Sequence, residues 1–197
     1  ANDATITQRG QYQFALQASV GDNNEVVAYQ GNDNNYSRQY QEGDNNFANT
    51  QQYFSTQTSF QEQVGDSNYA NTLQTSGDLN FATVAQWGDD NYALTIQDGN
   101  DNVSYTGQIG FLNDSEVYQV GNSNFNAVGQ IGLGNYSLVE QYGNSNISLV
   151  GQAGIGHYSH NLQVGNGNFS LVGQLGVGNW SDVHQFGNGN VDVTLQN

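Results

Sequence analysis

The chain has 197 residues with no cysteine, proline or methionine, and only Arg9 and Arg38 stand against 18 acids, giving a formal charge of -16. That balance excludes nucleic-acid binding, because nothing could neutralise a row of phosphates, and the missing thiols exclude disulfides and cysteine metal sites. No apolar run is long enough to cross a membrane, so no membrane insertion is expected, and without proline every amide hydrogen is free for a strand ladder.

The first residues, ANDATITQRG, have neither a basic start nor an apolar stretch, so any secretion signal is expected to have been removed. From there one residue type at one spacing organises the chain. Glutamine stands at Gln8, fails once at Ser19, and recurs every eleven residues at Gln30, Gln41, Gln52, Gln63 and Gln74. After one inserted residue it continues at Gln86, Gln97, Gln108, Gln119, Gln130, Gln141, Gln152, Gln163, Gln174, Gln185 and Gln196. Most of these glutamines open a turn such as VGDSN or FGNGN, which closes on an asparagine six residues before the next glutamine. Those asparagines are Asn24, Asn35, Asn46, Asn68, Asn80, Asn91, Asn102, Asn113, Asn124, Asn135, Asn146, Asn168, Asn179 and Asn190, with Gln13, Gln57 and His157 as substitutes. The unit is a strand of about seven residues and a turn of about four, so this is a repeat protein rather than a disordered polar tract.

A second period overlies the first. Turns after Gln108, Gln130, Gln152 and Gln174 read IGFLN, IGLGN, AGIGH and LGVGN, whereas those after Gln119, Gln141, Gln163 and Gln185 read VGNSN, YGNSN, VGNGN and FGNGN. The full repeat is therefore 22 residues. The expected fold is all-β: a two-sheet β-solenoid of about nine coils, each of two 11-residue strand-turn units, spanning residues 2–197 as one domain and able to stack as a cross-β filament. At roughly 4.8 Å per coil the stack would be about 43 Å long.

Residues 2–67 are the least regular, with GNDNN after Gln30 and a glycine-free YFSTQ after Gln52, and this acidic end is expected to be the less ordered one. In the fourth coil Gln74 is followed by TSGDLN. The extra residue is expected in the turn as Thr75 or Ser76, because inside a strand it would flip every later side chain. Residues 86–197 are the most regular.

Strand parity assigns the faces. Four residues before the glutamine the residue is small in fifteen strands, as at Ala48, Ala93 and Ser137. Two before, it is mostly apolar or threonine, as at Thr50, Val84 and Val150. Charges such as Arg38, Glu62, Glu116, Glu140 and Asp182 take the opposite parity, and only Asp192 breaks the rule. The glutamines therefore point inward, where identical amides one coil apart can bond to one another. Gln17, Gln39 and Gln61 fall two before the comb, which implies a wetter interior or a second amide ladder. Outward, five before the comb, lie Phe14, Tyr36, Phe47, Tyr69, Phe81, Tyr92, Phe125, Tyr136, Tyr158, Phe169 and Trp180. Such a row can stiffen a sheet, pack filaments side by side, or bind carbohydrate as a matrix adhesin would. Asp22, Asp44, Asp66 and Asp89 stack on one edge, where Phe111, Leu133, Ile155 and Val177 later take their place, and 13 of the 18 acids lie in residues 1–101. Self-repulsion in that column predicts that acid, or calcium at these turns, stabilises the first half; no other cofactor is expected.

No enzyme chemistry is expected. The serines are periodic core fillers, and His157, His160 and His184 read as a turn substitute and two surface residues, without a metal site, although the last two could approach diagonally.

The segments 63–74 (QVGDSNYANTLQ), 86–97 (QWGDDNYALTIQ) and 141–152 (QYGNSNISLVGQ) closely resemble curlin repeats, and the resemblance extends over essentially the whole chain. That family supplies the secreted subunit of bacterial curli amyloid fibres. The resemblance implies an extracellular protein of the cell surface or biofilm matrix that polymerises head to tail, is exported through a dedicated outer-membrane channel and meets a nucleating subunit. It also implies that the comb glutamines and turn asparagines carry the amyloid ladder.

Overall fold

The computed structural model describes residues 1–197, which form eighteen strands and no helix. In chain order these are β1 (Asp3–Gln8), β2 (Phe14–Val20), β3 (Glu25–Gln30), β4 (Tyr36–Glu42), β5 (Phe47–Gln52), β6 (Thr58–Val64), β7 (Tyr69–Ser76), β8 (Phe81–Asp89) and β9 (Tyr92–Asp98). The second half continues with β10 (Val103–Phe111), β11 (Asp114–Val120), β12 (Phe125–Leu133), β13 (Tyr136–Asn144), β14 (Ile147–Ile155), β15 (Tyr158–Asn166), β16 (Phe169–Val177), β17 (Trp180–Phe186) and β18 (Val191–Gln196). Odd strands build one nine-stranded sheet and even strands the other, each in simple sequence order. One odd and one even strand make a coil, so the chain is the expected nine-coil β-solenoid.

Neighbouring strands are parallel and in register, glutamine opposite glutamine, as in Gln97↔Gln119 and Gln130↔Gln152. The turns stack too: the amide of Gly43 donates to Val20 O at 3.0 Å and that of Asn45 to Asp22 O at 2.9 Å. Backbone groups at the corners are thus satisfied from coil to coil rather than by solvent alone. This stacking explains the turn glycines. Gly110 has φ +124°, and a Cβ there would sit 2.0 Å from the carbonyl oxygen of Gly132 in the next coil. Asn45, Ser67 and Asp90, two residues further on in their turns, also hold positive φ, where short polar side chains are best tolerated.

The inserted residue is Thr75. Gln74 pairs with Gln97 and Ser76 with Asp98, so Thr75 bulges at the end of β7. Because the bulge follows the last inward side chain, no residue changes face. The irregular early turns close as well, using positive φ at Asn32, Asn34 and Thr56.

Between the sheets the interior changes character along the stack. Val117, Val128, Val139, Val150, Val172 and Val183 form the apolar core of the later coils, interrupted in the odd sheet by the buried Asn161 between Val139 and Val183. The early coils instead bury Gln39, Gln61, Thr50 and Thr72 at the equivalent positions.

Candidate functional site

The comb forms two polar ladders through the core. In the odd sheet Gln8, Gln30, Gln52, Gln74, Gln97, Gln119, Gln141, Gln163 and Gln185 each donate from Nε2 to Oε1 of the next, at 2.8 to 3.0 Å. In the even sheet Gln41, Gln63, Gln86, Gln108, Gln130, Gln152, Gln174 and Gln196 do the same at 2.8 to 2.9 Å. Every ladder member between Gln30 and Gln185 is buried. The second amide hydrogen is used as well. It crosses the core to a backbone carbonyl sixteen or seventeen residues back, as in Gln108 Nε2 to Tyr92 O at 2.8 Å and Gln119 Nε2 to Val103 O at 3.0 Å. Each amide therefore ties one coil to the next and one sheet to the other. Parity gives the first bond; the second depends on the sheet separation.

Ser19 shows what the ladder is worth. Its hydroxyl has no partner, and neither has the buried Oε1 of Gln41 directly above it, because no amide hydrogen arrives from below. Gln17, Gln39 and Gln61 form the second ladder, at 3.0 and 2.8 Å, and Gln39 and Gln61 also bond Thr50 and Thr72 across the core. The early interior is thus a second amide network.

At the corners the asparagines form columns of opposite polarity. The backbone amides of Asn46, Asn68, Asn91, Asn124, Asn146, Asn168 and Asn190 donate to Oδ1 of the residue one coil earlier at 2.8 to 3.1 Å. Their side-chain amides reach forward to turn carbonyls, as from Asn46 to Gly65 O at 2.7 Å. His157 does the same work with an imidazole: Nδ1 accepts the Asn179 amide at 3.2 Å, leaving the hydrogen on Nε2 to donate to Ala153 O at 3.3 Å. The aspartate column is built in likewise. Oδ1 of Asp44, Asp66 and Asp89 each accept the amide of the preceding aspartate, at 2.7, 2.8 and 2.9 Å. The carboxylates that repel one another also receive hydrogen bonds, which the sequence did not reveal.

Outside, the aromatic rows are stacked face to face. Phe47, Tyr69 and Tyr92 lie 4.8 and 4.9 Å apart, and Tyr136, Tyr158 and Trp180 lie 5.2 and 3.9 Å apart, all within 14° of parallel. In the even sheet Phe60 and Tyr105, three before the comb, fill the gaps in a tilted series with Tyr36, Phe81 and Phe125. The ring faces cover one another. Asp114 interrupts the odd row between Tyr92 and Tyr136. Burial, then the nearby Glu116 charge, pushes its carboxyl up to about 6, and burial with the charges of Glu116 and Asp114 pushes Tyr136 up to about 12.

One group of outward side chains gathers across neighbouring coils. His160 and His184 do meet diagonally, with Asp182 between them: Asp182 Oδ1 lies 3.1 Å from His160 Nδ1 and 3.0 Å from His184 Nε2. Glu140 Oε2 takes the other nitrogen of His160 at 3.1 Å. Outward parity placed all four on one face, but the pairing of coils was needed to see them converge. Asp192, the inward charge, lies half exposed on β18 and accepts the Thr194 hydroxyl at 3.1 Å, since no coil lies beyond it within these residues.

Fold and ladders together define a class, the parallel two-sheet β-solenoid cross-linked from coil to coil by side-chain amides. Residues 88–121 match the family model of the curlin associated repeat, which bears out the curlin-repeat resemblance carried by the Gln-x-Gly-x-x-Asn units. No curated protein matches the chain.

Proposed function

We propose that this chain is the structural subunit of an extracellular, curli-type amyloid fibre in biofilm matrix, and that it polymerises head to tail by continuing its own ladders from one copy to the next. The observation that carries this is that each coil offers its successor the same in-register surface that it receives from its predecessor. Within residues 1–197, β1 and β2 at one end and β17 and β18 at the other have a strand neighbour on one side only. The last coil leaves a recess of about 570 Å³ lined by Val183, Gln185, Asn190, Asp192 and Thr194, among others, the place where another coil would sit. Continuing the 22-residue register sets Gln8 of a second copy over Gln185 and Ser19 over Gln196. The Gln185 amide, which already donates to Phe169 O at 2.9 Å, would give its other hydrogen to the incoming Gln8 Oε1. The same resemblance supports a nucleating subunit and an outer-membrane export channel as partners.

This docking covers Asp192 with Ala15 of the second copy. A carboxylate buried without a full set of partners opposes assembly, so the one inward charge holds back polymerisation at neutral pH. Asp192→Ser, which restores the residue of that row, should shorten the lag several-fold in an unseeded assembly assay; an unchanged lag would discard this register. The broader test is time-resolved electron microscopy of freshly desalted chain with fibre diffraction. Seedable filaments with a meridional repeat of about 4.8 Å are expected. Discrete rods persisting for days would overturn it.

A further inference from the structure

We propose that Asp182, His160 and His184 form a binding site for a divalent first-row transition ion, zinc or copper, on the outer face of the odd sheet, with Glu140 as the residue that orients His160. One ligand atom from each of Asp182, His160 and His184 lies within 4.8 Å of the others. The two Asp182 contacts, 3.1 and 3.0 Å, are close to the separation of about 3.3 Å that neighbouring ligands keep around a tetrahedral ion with bonds of about 2.0 Å. Small side-chain rotations on an already ordered sheet would complete the site.

The hydrogen-bond inventory of His160 points to a cation. Both of its ring nitrogens face carboxylates, Nε2 toward Glu140 and Nδ1 toward Asp182. A neutral imidazole has one N–H, so one carboxylate would then confront a lone pair. Placing the hydrogen on Nε2 satisfies Glu140 and turns the Nδ1 lone pair toward Asp182 and His184. A metal ion at that point resolves the conflict, and a carboxylate behind a histidine is the usual device that fixes the tautomer of a metal ligand. Two imidazoles and a carboxylate suit zinc or copper, whereas calcium and magnesium prefer oxygen alone. Asp182 and His184 are well exposed, so an ion can reach them from solvent and water can fill the remaining positions. The parallel register creates the site. His160 pairs with Asp182 across β15 and β17, His184 stands two residues along from Asp182, and Glu140 reaches across from β13.

The test is equilibrium dialysis of the full chain against chelator-buffered zinc chloride, with bound metal counted by mass spectrometry, and electron paramagnetic resonance of copper(II)-loaded protein. One saturable ion per chain is expected, with two-nitrogen coupling in the copper spectrum. His160→Ala and His184→Ala should each weaken binding by more than tenfold and remove one nitrogen from the spectrum. Glu140→Gln should weaken it by about tenfold with both nitrogens retained. His157→Asn, which restores the usual turn residue elsewhere in the solenoid, should leave binding unchanged. All of these but His157 lie on the outer face, and Asp182→Asn provides a second route should one histidine variant fold poorly. Uptake that does not saturate, or that survives the His160→Ala/His184→Ala double variant, would overturn the site and assign the metal to the acidic turns. If the wild-type chain binds none, the proposal fails.

Discussion

The first three coils and the last four share one backbone and one register, yet hold their sheets together by different chemistry. Early coils run Gln17, Gln39 and Gln61 through the interior, bonded to Thr50 and Thr72. Later coils put mostly valine at that position, with Asn161 and Thr194 as exceptions, and mostly serine two residues before, and the buried hydroxyls of Ser115, Ser137, Ser159 and Ser170 find no partner. The same solenoid therefore accepts either a hydrogen-bonded amide network or a thin apolar core, because the comb glutamines on either side already fix the register. A buried polar ladder is stable when complete and costly when broken.

The largest effect should erase the difference between the regions. Gly43→Ala in the acidic half and Gly143→Ala in the valine half each place a Cβ about 2 Å from the next coil's carbonyl, 2.1 and 2.0 Å respectively. Both should cost about 4 kcal/mol or more in chemical denaturation, whereas Gly151→Ala, facing open space, should be close to neutral. Equal tolerance at Gly143 and Gly151 would refute the turn-stacking account.

Exchanging the interiors sharpens the contrast. Val150→Gln, between Val128 and Val172, adds an amide with no ladder to join and should cost about 3 kcal/mol. Gln39→Val strands the amides of Gln17 and Gln61 and should cost a similar amount. Replacing Gln17, Gln39 and Gln61 together by valine removes all three members and should recover most of it, read as denaturation midpoints.

Repairing the comb is a smaller change. Ser19→Gln supplies the missing hydrogen to Gln41 Oε1 and should add about 1 kcal/mol, with slower amide exchange in β2 and β4. No change in exchange would mean that this end already satisfies Gln41 by another route.

The smallest effect concerns pH. Asp114 titrates near 6 in the folded chain and near 3.8 when unfolded, so folding favours its protonated form. Its contribution is therefore least unfavourable below pH 4, worsens as pH rises to about 6, and is constant above that. After solvent screening the loss is about 1 kcal/mol. Asp114→Tyr should remove this dependence and join the two ring stacks into one, visible as a stability gain at pH 7 that shrinks towards pH 4 to the part the stacking contributes. A pH profile unaltered by the substitution would place the titration elsewhere.

Much of this was legible because the chain repeats itself. An eleven-residue glutamine comb with fixed parity specifies strand length, turn position, inward face and the coil of 22 residues, since a slip of one residue would turn every glutamine to solvent. Ser19 and the bulge at Thr75 were visible as departures from that spacing. The amide hydrogens that cross from each glutamine to the opposite sheet, the carboxylate acceptors in the aspartate column, the ring-nitrogen bonds with which His157 fills its asparagine place, and the convergence of Asp182 and Glu140 on the two neighbouring histidines were not. Periodicity in one dimension reports which residues share a row. How far one row stands from the next, and which atoms then lie within 3 Å or so of one another, follows only from the packing of the two sheets and the twist between coils.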